Sequence, residues 1–196
     1  MLKHQNGFDF DHWCIVWYNT CVKNVIIEFD KYLITQNLKF EAVIMGGAAL
    51  NILDISSRKT KDVDCLDPKT PEAIKVASKE FAKTRVDLLL DISWLNNGPE
   101  TLKRDSPKNW RQRTQPLYSG IAIKLLVLGR DDLLKSKLFA YCDRTTPDFE
   151  DLKSLKPTKD ELNNAIEWVK ERDSNPDWPE HVEKAFAFLG KALGYE

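Results

Sequence analysis

A short apolar run that ends in two glycines is the sequence feature that most constrains how this chain folds. The run, FEAVIM at 40–45, is rich in apolar residues, and Gly46 and Gly47 follow it at once. A short apolar run that stops at a turn signal is typical of a buried β-strand. We therefore predict a strand at 40–45 and a turn at the two glycines.

The next segments predict a helix and a second strand. AALNILD at 48–54 fits two helical turns, and a polar loop, SSRKTK, follows it. DVDCL at 62–66 alternates between two sides and stops before Asp67-Pro68, as a strand does before a proline. Because the glycine turn and the start of this segment belong to successive strands, we expect them to lie near each other.

The rest of the chain is richer in helix than in strand. VDLLLDI at 86–92 fits either a strand or a helix end, and IAIKLLVL at 121–128 predicts a strand. Helices are predicted at 11–37, from Thr70 to about residue 83, at 131–144, at 158–172 and at about 180–193. This order predicts an α+β fold, in which a small mixed sheet is flanked by helices.

The length suggests one domain with helical extensions. For 196 residues we predict an N-terminal helical segment at 1–39, a core at 40–156 and a C-terminal helical segment at 157–196. The formal net charge of −1 offers no global reason for binding nucleic acid or a membrane. No apolar run approaches the roughly 20 residues that span a bilayer, and no signal-peptide core is recognisable at the N-terminus. The four cysteines form no CxxC pair, which predicts reduced thiols in a cytoplasmic protein.

Asp62 and Asp64 are the candidate metal ligands. Residues two apart in a strand share a face, so the two carboxylates would repel each other without a cation between them. Taken alone, a solvated edge strand whose charge is neutralised by Arg58, Lys59 and Lys61 explains this motif better. The glycine pair adds weight to a functional site, because backbone without Cβ atoms can approach phosphate oxygens.

The stretch MGGAALNILDISSRKTKDVDCL resembles the signature of the polymerase-β-like nucleotidyltransferase superfamily. It is most similar to AbiEii-type abortive-infection toxins and uncharacterised bacterial members. The positions that match that pattern are Gly46, Gly47, Ala49, Leu50, Arg58, Thr60, Asp62 and Asp64. The resemblance implies that an NTP is the substrate, that Mg²⁺ is the cofactor, and that Arg58 and the glycines contact the nucleotide.

A second stretch, DDLLKSKLFAYCDRTTPDFEDLKSL at 131–155, resembles the downstream helical part of the same group. Lys137, Arg144, Asp148 and Asp151 match its motifs, which implies that Lys137, Asp148 and Asp151 belong to the nucleotide site. The alternatives are a solvated helix lysine for Lys137 and helix N-terminal capping for the two aspartates. The segment WLN at 94–96 also resembles uncharacterised bacterial members, and Trp94 is a candidate core anchor.

One expected feature has no clear counterpart. The superfamily commonly adds a third carboxylate from a later strand, for which Asp87 and Asp91 are the candidates. The expected activity is transfer of a nucleoside monophosphate to a hydroxyl of RNA, protein or a small molecule, in a toxin–antitoxin or abortive-infection role with an antitoxin partner. Without a third carboxylate, the alternative is an inactive binding or regulatory module. The basic loop at 103–113 is a candidate RNA contact or, as the better-supported alternative, a solvated loop with Trp110 in the core.

Overall fold

The computed structural model describes residues 22–56, 60, 62–144 and 148–195. The helices within these residues are α1 (Val22–Thr35), α2 (Gly46–Ile52), α3 (Glu72–Thr84), α4 (Leu102–Asp105), α5 (Arg130–Arg144), α6 (Asp148–Leu155), α7 (Lys159–Lys170) and α8 (Trp178–Ala192). The strands are β1 (Phe40–Met45), β2 (Val63–Asp67), β3 (Leu95–Asn96), β4 (Gln115–Ser119) and β5 (Ile123–Val127). Short 3₁₀ helices lie at Val86–Leu88, Gly98–Thr101 and Trp110–Arg113.

The five strands form one mixed sheet in the order β3-β2-β1-β5-β4. β1 lies at the centre, antiparallel to β2 and parallel to β5, while β3 runs parallel to β2 and β4 antiparallel to β5. The central strand is buried at five of its six positions, as expected for a strand covered on both faces. The predicted α+β fold with a small mixed sheet and flanking helices is therefore confirmed.

An aromatic cluster packs α1 and α3 together. The ring of Phe29 lies 5.2 Å from that of Phe81 and 5.1 Å from that of Trp94, the latter edge to face. Trp94 is buried, and its indole N–H donates to the carbonyl oxygen of Ser78 at 3.1 Å. Trp94 thus anchors the start of β3 in the core, as the candidate role for this residue requires.

The C-terminal helices pack around α5. α6, α7 and α8 all contact it, and the ring of Trp178 lies 5.9 Å from that of Phe139 on α5. A capping box begins α7: Thr158 Oγ1 accepts from the Glu161 N–H, and a Glu161 carboxylate oxygen accepts from the Thr158 N–H. These contacts hold α5 in place beside the sheet.

The structure differs from the sequence predictions at several boundaries. Segment 86–92 is neither strand nor regular helix: a 3₁₀ turn ends at Leu88, and Leu89 has a positive φ of 51°, which interrupts both. β2 begins at Val63, so Asp62 precedes the strand. β3 and β4 were not predicted. The part of the predicted first helix before Val22 lies outside the described residues.

Candidate functional site

A cavity of about 450 Å³ lies between helix α5 and the edge of the sheet where β1 ends beside β2. Its walls come from the turn after β1, the start of β2, the turn after β3, and α5 with the first residue of α6. Six of the described lining residues carry charge: Asp62, Asp64, Lys137, Asp143, Arg144 and Asp148. The cavity thus gathers residues from both stretches that the sequence singled out.

Gly46 turns the chain at the end of β1 in a conformation that other residues rarely adopt. Its φ is 75°, in the left-handed region that favours glycine. A Cβ at this position would lie only 2.8 Å from Oδ2 of Asp64. Gly46 therefore combines a positive-φ turn with a close approach of backbone to carboxylate. Gly47 is the second residue of α2 and is half-buried.

The two candidate metal ligands reach the cavity from different kinds of backbone. Asp62 lies in the loop before β2 and accepts a hydrogen bond from the Thr60 hydroxyl at 3.0 Å. Asp64 lies within β2, is half-buried, and pairs in register with Met45. The expectation that both share one face of a single strand is thus corrected, because β2 starts between them. Both nevertheless line the cavity.

The environment of Asp64 disfavours its negative charge. Burial raises the pKa of the Asp64 carboxyl above its ordinary value, and the nearby charge of Asp62 raises the pKa further. A hydrogen bond from Asn96 and the positive charges of Lys137 and Arg144 act in the opposite direction on this pKa. The pair of carboxylates is therefore a place where a cation would relieve both desolvation and repulsion.

Asn96 is a site residue that the sequence analysis did not identify. The register of β2 with β3 places it directly beside Asp64. Its Oδ1 accepts the N–H of Gly98 at 2.6 Å, and its side chain also hydrogen-bonds to Asp64. The only signal in the sequence was the WLN segment, which carries no strand pattern by itself.

A buried ion cluster forms the opposite wall. The Lys137 ammonium donates to Asp148 at 3.0 Å and to Asp151 at 2.6 Å, and all three side chains are buried. Arg144 donates to the second carboxylate oxygen of Asp148 at 3.0 Å, although the Arg144 side chain is largely exposed. Lys137 is therefore not a solvated helix lysine. Both aspartates bind it, and both also lie in the first turn of α6. Lys137, Arg144 and Asp148 line the cavity.

Comparison with protein families agrees with this arrangement. A family described as nucleotidyltransferase of unknown function (DUF6036) matches residues 22–170, which is more than half of the chain. The chain belongs to this family. The comparison with curated proteins and the comparison with solved structures gave no match.

Members of a nucleotidyltransferase family use NTPs, and Mg²⁺ is their usual cofactor, so the fit of the site to Mg²⁺ can be tested. In the described part of the chain, no group of three or more His, Cys, Asp and Glu side chains is placed to hold a metal ion. Mg²⁺ is, however, commonly bound by one or two carboxylates together with substrate phosphates, rather than by an all-protein cage. Asp62 and Asp64, a carboxylate pair at the rim of a cavity beside Gly46, fit that manner of binding.

The other predicted site residues lie elsewhere. Asp87 is exposed and forms an ion pair with Arg85 at 2.8 Å, which in turn binds Glu28. Asp91 is exposed and accepts the N–H of Ser93 at 2.8 Å. Neither is among the residues that line the cavity, so the structure does not bring them to Asp62 and Asp64. Arg58 lies outside the described residues.

The basic loop at 103–113 is largely engaged in ion pairs within the protein. Lys103 and Arg111 both bind Asp67 at 2.9 Å, and Arg113 binds the buried Asp132 at 2.7 Å. Trp110 is buried, with the guanidinium of Arg111 4.5 Å from the centre of its ring. These contacts favour the solvated-loop alternative with Trp110 in the core.

Two further findings concern other expected properties. Cys65 and Cys142 are free and buried, and burial raises the pKa of each thiol to about 12, so neither is a thiolate at neutral pH. Among the described residues, no helix has the length and apolar character that crossing a bilayer requires.

Proposed function

We propose that this protein transfers a nucleoside monophosphate from an NTP to a hydroxyl group, with Mg²⁺ held by Asp62 and Asp64. The observation that carries the proposal is one cavity in which Asp62, Asp64 and Gly46 lie across from Lys137 and Arg144. A metal–triphosphate complex carries positive charge at the metal and negative charge at the phosphates. The carboxylates of Asp62 and Asp64 suit the metal, and the largely exposed guanidinium of Arg144 across the cavity suits a phosphate.

In the proposed reaction, the acceptor oxygen forms a bond to the α-phosphorus. The bond between that phosphorus and the bridging oxygen of the β-phosphate breaks, pyrophosphate leaves with the electron pair, and the hydroxyl proton passes to solvent. Bound Mg²⁺ would supply charge neutralisation at the phosphate oxygens. The chain contributes mainly positioning, since transfer of this kind needs few groups that make or break bonds.

Each wall has a distinct task in this proposal. Gly46 lets the Asp64 carboxylate lie close against the turn after β1, where a side chain would displace it. Lys137, held by two buried aspartates, fixes the position of a cation at the cavity wall. Arg144 is more exposed and has donors to offer a phosphate.

The acceptor and the biological role belong to the proposal as well. The resemblance of 45–66 and 131–155 to AbiEii-type toxins supports a cytoplasmic toxin–antitoxin or abortive-infection component whose partner is an antitoxin. RNA, a protein and a small molecule are the acceptor classes to test. Lys103, Arg111 and Arg113 of loop 103–113 pair with Asp67 or Asp132, which leaves Arg104 and Lys108, both exposed, as the cations of that loop to test against RNA.

A second candidate function is a nucleotide-binding module without transfer activity. Asn96 favours it, because the strand that pairs with Asp64 places an amide beside it instead of a carboxylate. Such a protein would retain Mg²⁺–NTP binding but lack a carboxylate to accept the proton of the attacking hydroxyl.

The test is a transfer assay with each α-labelled NTP, Mg²⁺, and either total RNA or cell lysate. We expect transfer of label that is lost in Asp62→Asn and Asp64→Asn. Asp87→Asn is the matched control, since this exposed carboxylate lies outside the cavity and its loss should leave transfer intact. Tight Mg²⁺–NTP binding without transfer would favour the second candidate. Equal transfer by the wild-type protein and Asp64→Asn would refute the proposed site.

A further inference from the structure

The side chain of Asn96 is held at both ends. Its Oδ1 accepts the backbone N–H of Gly98 at 2.6 Å. A backbone N–H can only donate, so the amide oxygen must lie on the Gly98 side and the NH₂ group on the other. The β2–β3 register pairs Asn96 with Asp64, and the Asn96 side chain hydrogen-bonds to the Asp64 carboxylate, which can only accept. The amide therefore donates to the carboxylate.

This orientation excludes Asn96 as a metal ligand in the arrangement seen. Asparagine binds hard cations through its oxygen, and here that oxygen is turned to Gly98. Gly98 keeps the loop tight: a Cβ on it would lie 2.9 Å from the Asn96 oxygen and 3.8 Å from a carboxylate oxygen of Asp64. The turn after β3 thus holds the amide against Asp64.

We propose that Asn96 is a positioning residue of the metal site, which orients the Asp64 carboxylate by donating to it while the Gly98 N–H fixes the amide. This inference rests on the metal site of the proposed function and goes beyond it. The metal site then has two carboxylates, Asp62 and Asp64, and the neutral amide of Asn96 contacts the half-buried one, Asp64. A carboxylate at position 96 would keep the bond from Gly98, lose the bond to Asp64 and add a third negative charge.

The neighbouring Asn97 provides a matched control. Its oxygen accepts the N–H of Thr70 at 2.8 Å, and its NH₂ group donates to the carbonyl oxygens of Cys65 at 2.9 Å and Pro68 at 3.2 Å. Asn97 is also half-buried, yet all its partners are backbone atoms of β2 and of the turn after it. Replacing it disturbs the same region without touching Asp64.

The experiment measures Mn²⁺ binding to the full chain by titration calorimetry, together with thermal unfolding in EDTA. For Asn96→Ala we expect about five- to tenfold weaker Mn²⁺ binding, since a hydrogen bond to an ionised group is lost. For Asn96→Asp we expect about tenfold tighter binding, because a third carboxylate joins the site, and a lower melting temperature in EDTA, because the acids repel each other. Asn97→Ala should unfold at lower temperature with Mn²⁺ affinity unchanged within about twofold.

Each result decides the inference. Opposite shifts of Mn²⁺ affinity in Asn96→Ala and Asn96→Asp support it, whereas wild-type affinity in both, or the same loss in Asn97→Ala, overturns it. If Asn96→Ala does not fold, the melting temperature of Asn96→Asp in EDTA decides, because this variant keeps the acceptor for Gly98: a lower value supports the contact with Asp64, and the wild-type value overturns it. Shifted affinities with no transfer by the wild-type protein would refute the proposed function and leave this inference standing. No Mn²⁺ binding by any of the proteins would refute the inference itself.

Discussion

Replacing Gly46 by alanine tests the core of the site, since it changes both the backbone and the space beside Asp64. An L-residue at a φ of 75° carries a cost of about 1–2 kcal/mol. The added Cβ would lie 2.8 Å from Oδ2 of Asp64, so the carboxylate must move away from the turn. Together these effects predict a loss of about 2 kcal/mol in the free energy of unfolding. For a chain of this length that lowers the melting temperature by about 4–8 °C.

The functional consequence of Gly46→Ala is separate from its stability cost. Asp64 is the half-buried carboxylate of the proposed metal pair, and its displacement should weaken Mn²⁺ binding about tenfold or more even at temperatures where the variant is fully folded. Urea unfolding, monitored by circular dichroism, measures the stability. Titration calorimetry measures Mn²⁺ binding at a temperature about 20 °C below the melting temperature, where nearly all of the protein is folded.

Gly190→Ala is the matched control for this substitution. Gly190 lies in α8, where an added Cβ would meet no atom within 4 Å. Alanine should stabilise this helix by about 0.5–1 kcal/mol. The same substitution, glycine to alanine, should therefore raise the free energy of unfolding at position 190 and lower it at position 46. Unchanged stability in Gly46→Ala would refute the strain argument. Lower stability with wild-type Mn²⁺ affinity would refute the role of Gly46 in placing Asp64.

Three further results are expected. Burial raises the folded-state pKa of Asp64, so its ionised form destabilises the metal-free fold. Asp64→Asn should therefore raise the free energy of unfolding in EDTA at pH 7, as measured by urea unfolding. This gain should shrink as the pH falls through the raised pKa towards the ordinary value of 3.8. Lys137→Met should lower the free energy of unfolding, measured by chemical denaturation, by about 3–5 kcal/mol, because two buried aspartates lose their cation. Arg144 is largely exposed, so Arg144→Gln should unfold like the wild-type protein yet bind Mg²⁺–NTP more weakly. NTP binding measured by calorimetry should be lost in EDTA, and wild-type affinity there would contradict the role of the metal.

The fold was predictable where local pattern and tertiary structure agree. The apolar run ending at Gly46 and the capping box at Thr158 both mark their elements by residue type alone. β4 was missed because it is an edge strand that contains Pro116 and is exposed or half-buried throughout, so it has neither apolar alternation nor a run. β3 has only two residues, too few for any period.

The site was predictable to the extent that its chemistry lies in short motifs. Gly46, Asp62 and Asp64 stand within one continuous stretch, and their placement around one cavity follows from a strand, a short helix and a second strand. Asn96 enters through pairing between β2 and β3, a long-range contact that no local pattern specifies. Asp87 and Asp91 are reasonable candidates only if 86–92 is a strand. Once the segment forms a 3₁₀ turn, their carboxylates bind Arg85 and Ser93 instead.

The charges of the cavity differ in how firmly they are held, and this difference bears on how a nucleotide would bind. Lys137 is buried between two aspartates, so its position is set by the fold and its charge is already compensated. Arg144 shares Asp148 with Lys137 but is largely exposed, and its guanidinium can turn to a phosphate at little cost in desolvation. Among the described lining residues, four carboxylates outnumber these two cations. A triphosphate alone would therefore meet net repulsion, and divalent cations at Asp62 and Asp64, as proposed, would turn this repulsion into attraction. Metal and nucleotide must then strengthen each other's binding by the same factor, since the coupling free energy between two ligands is reciprocal.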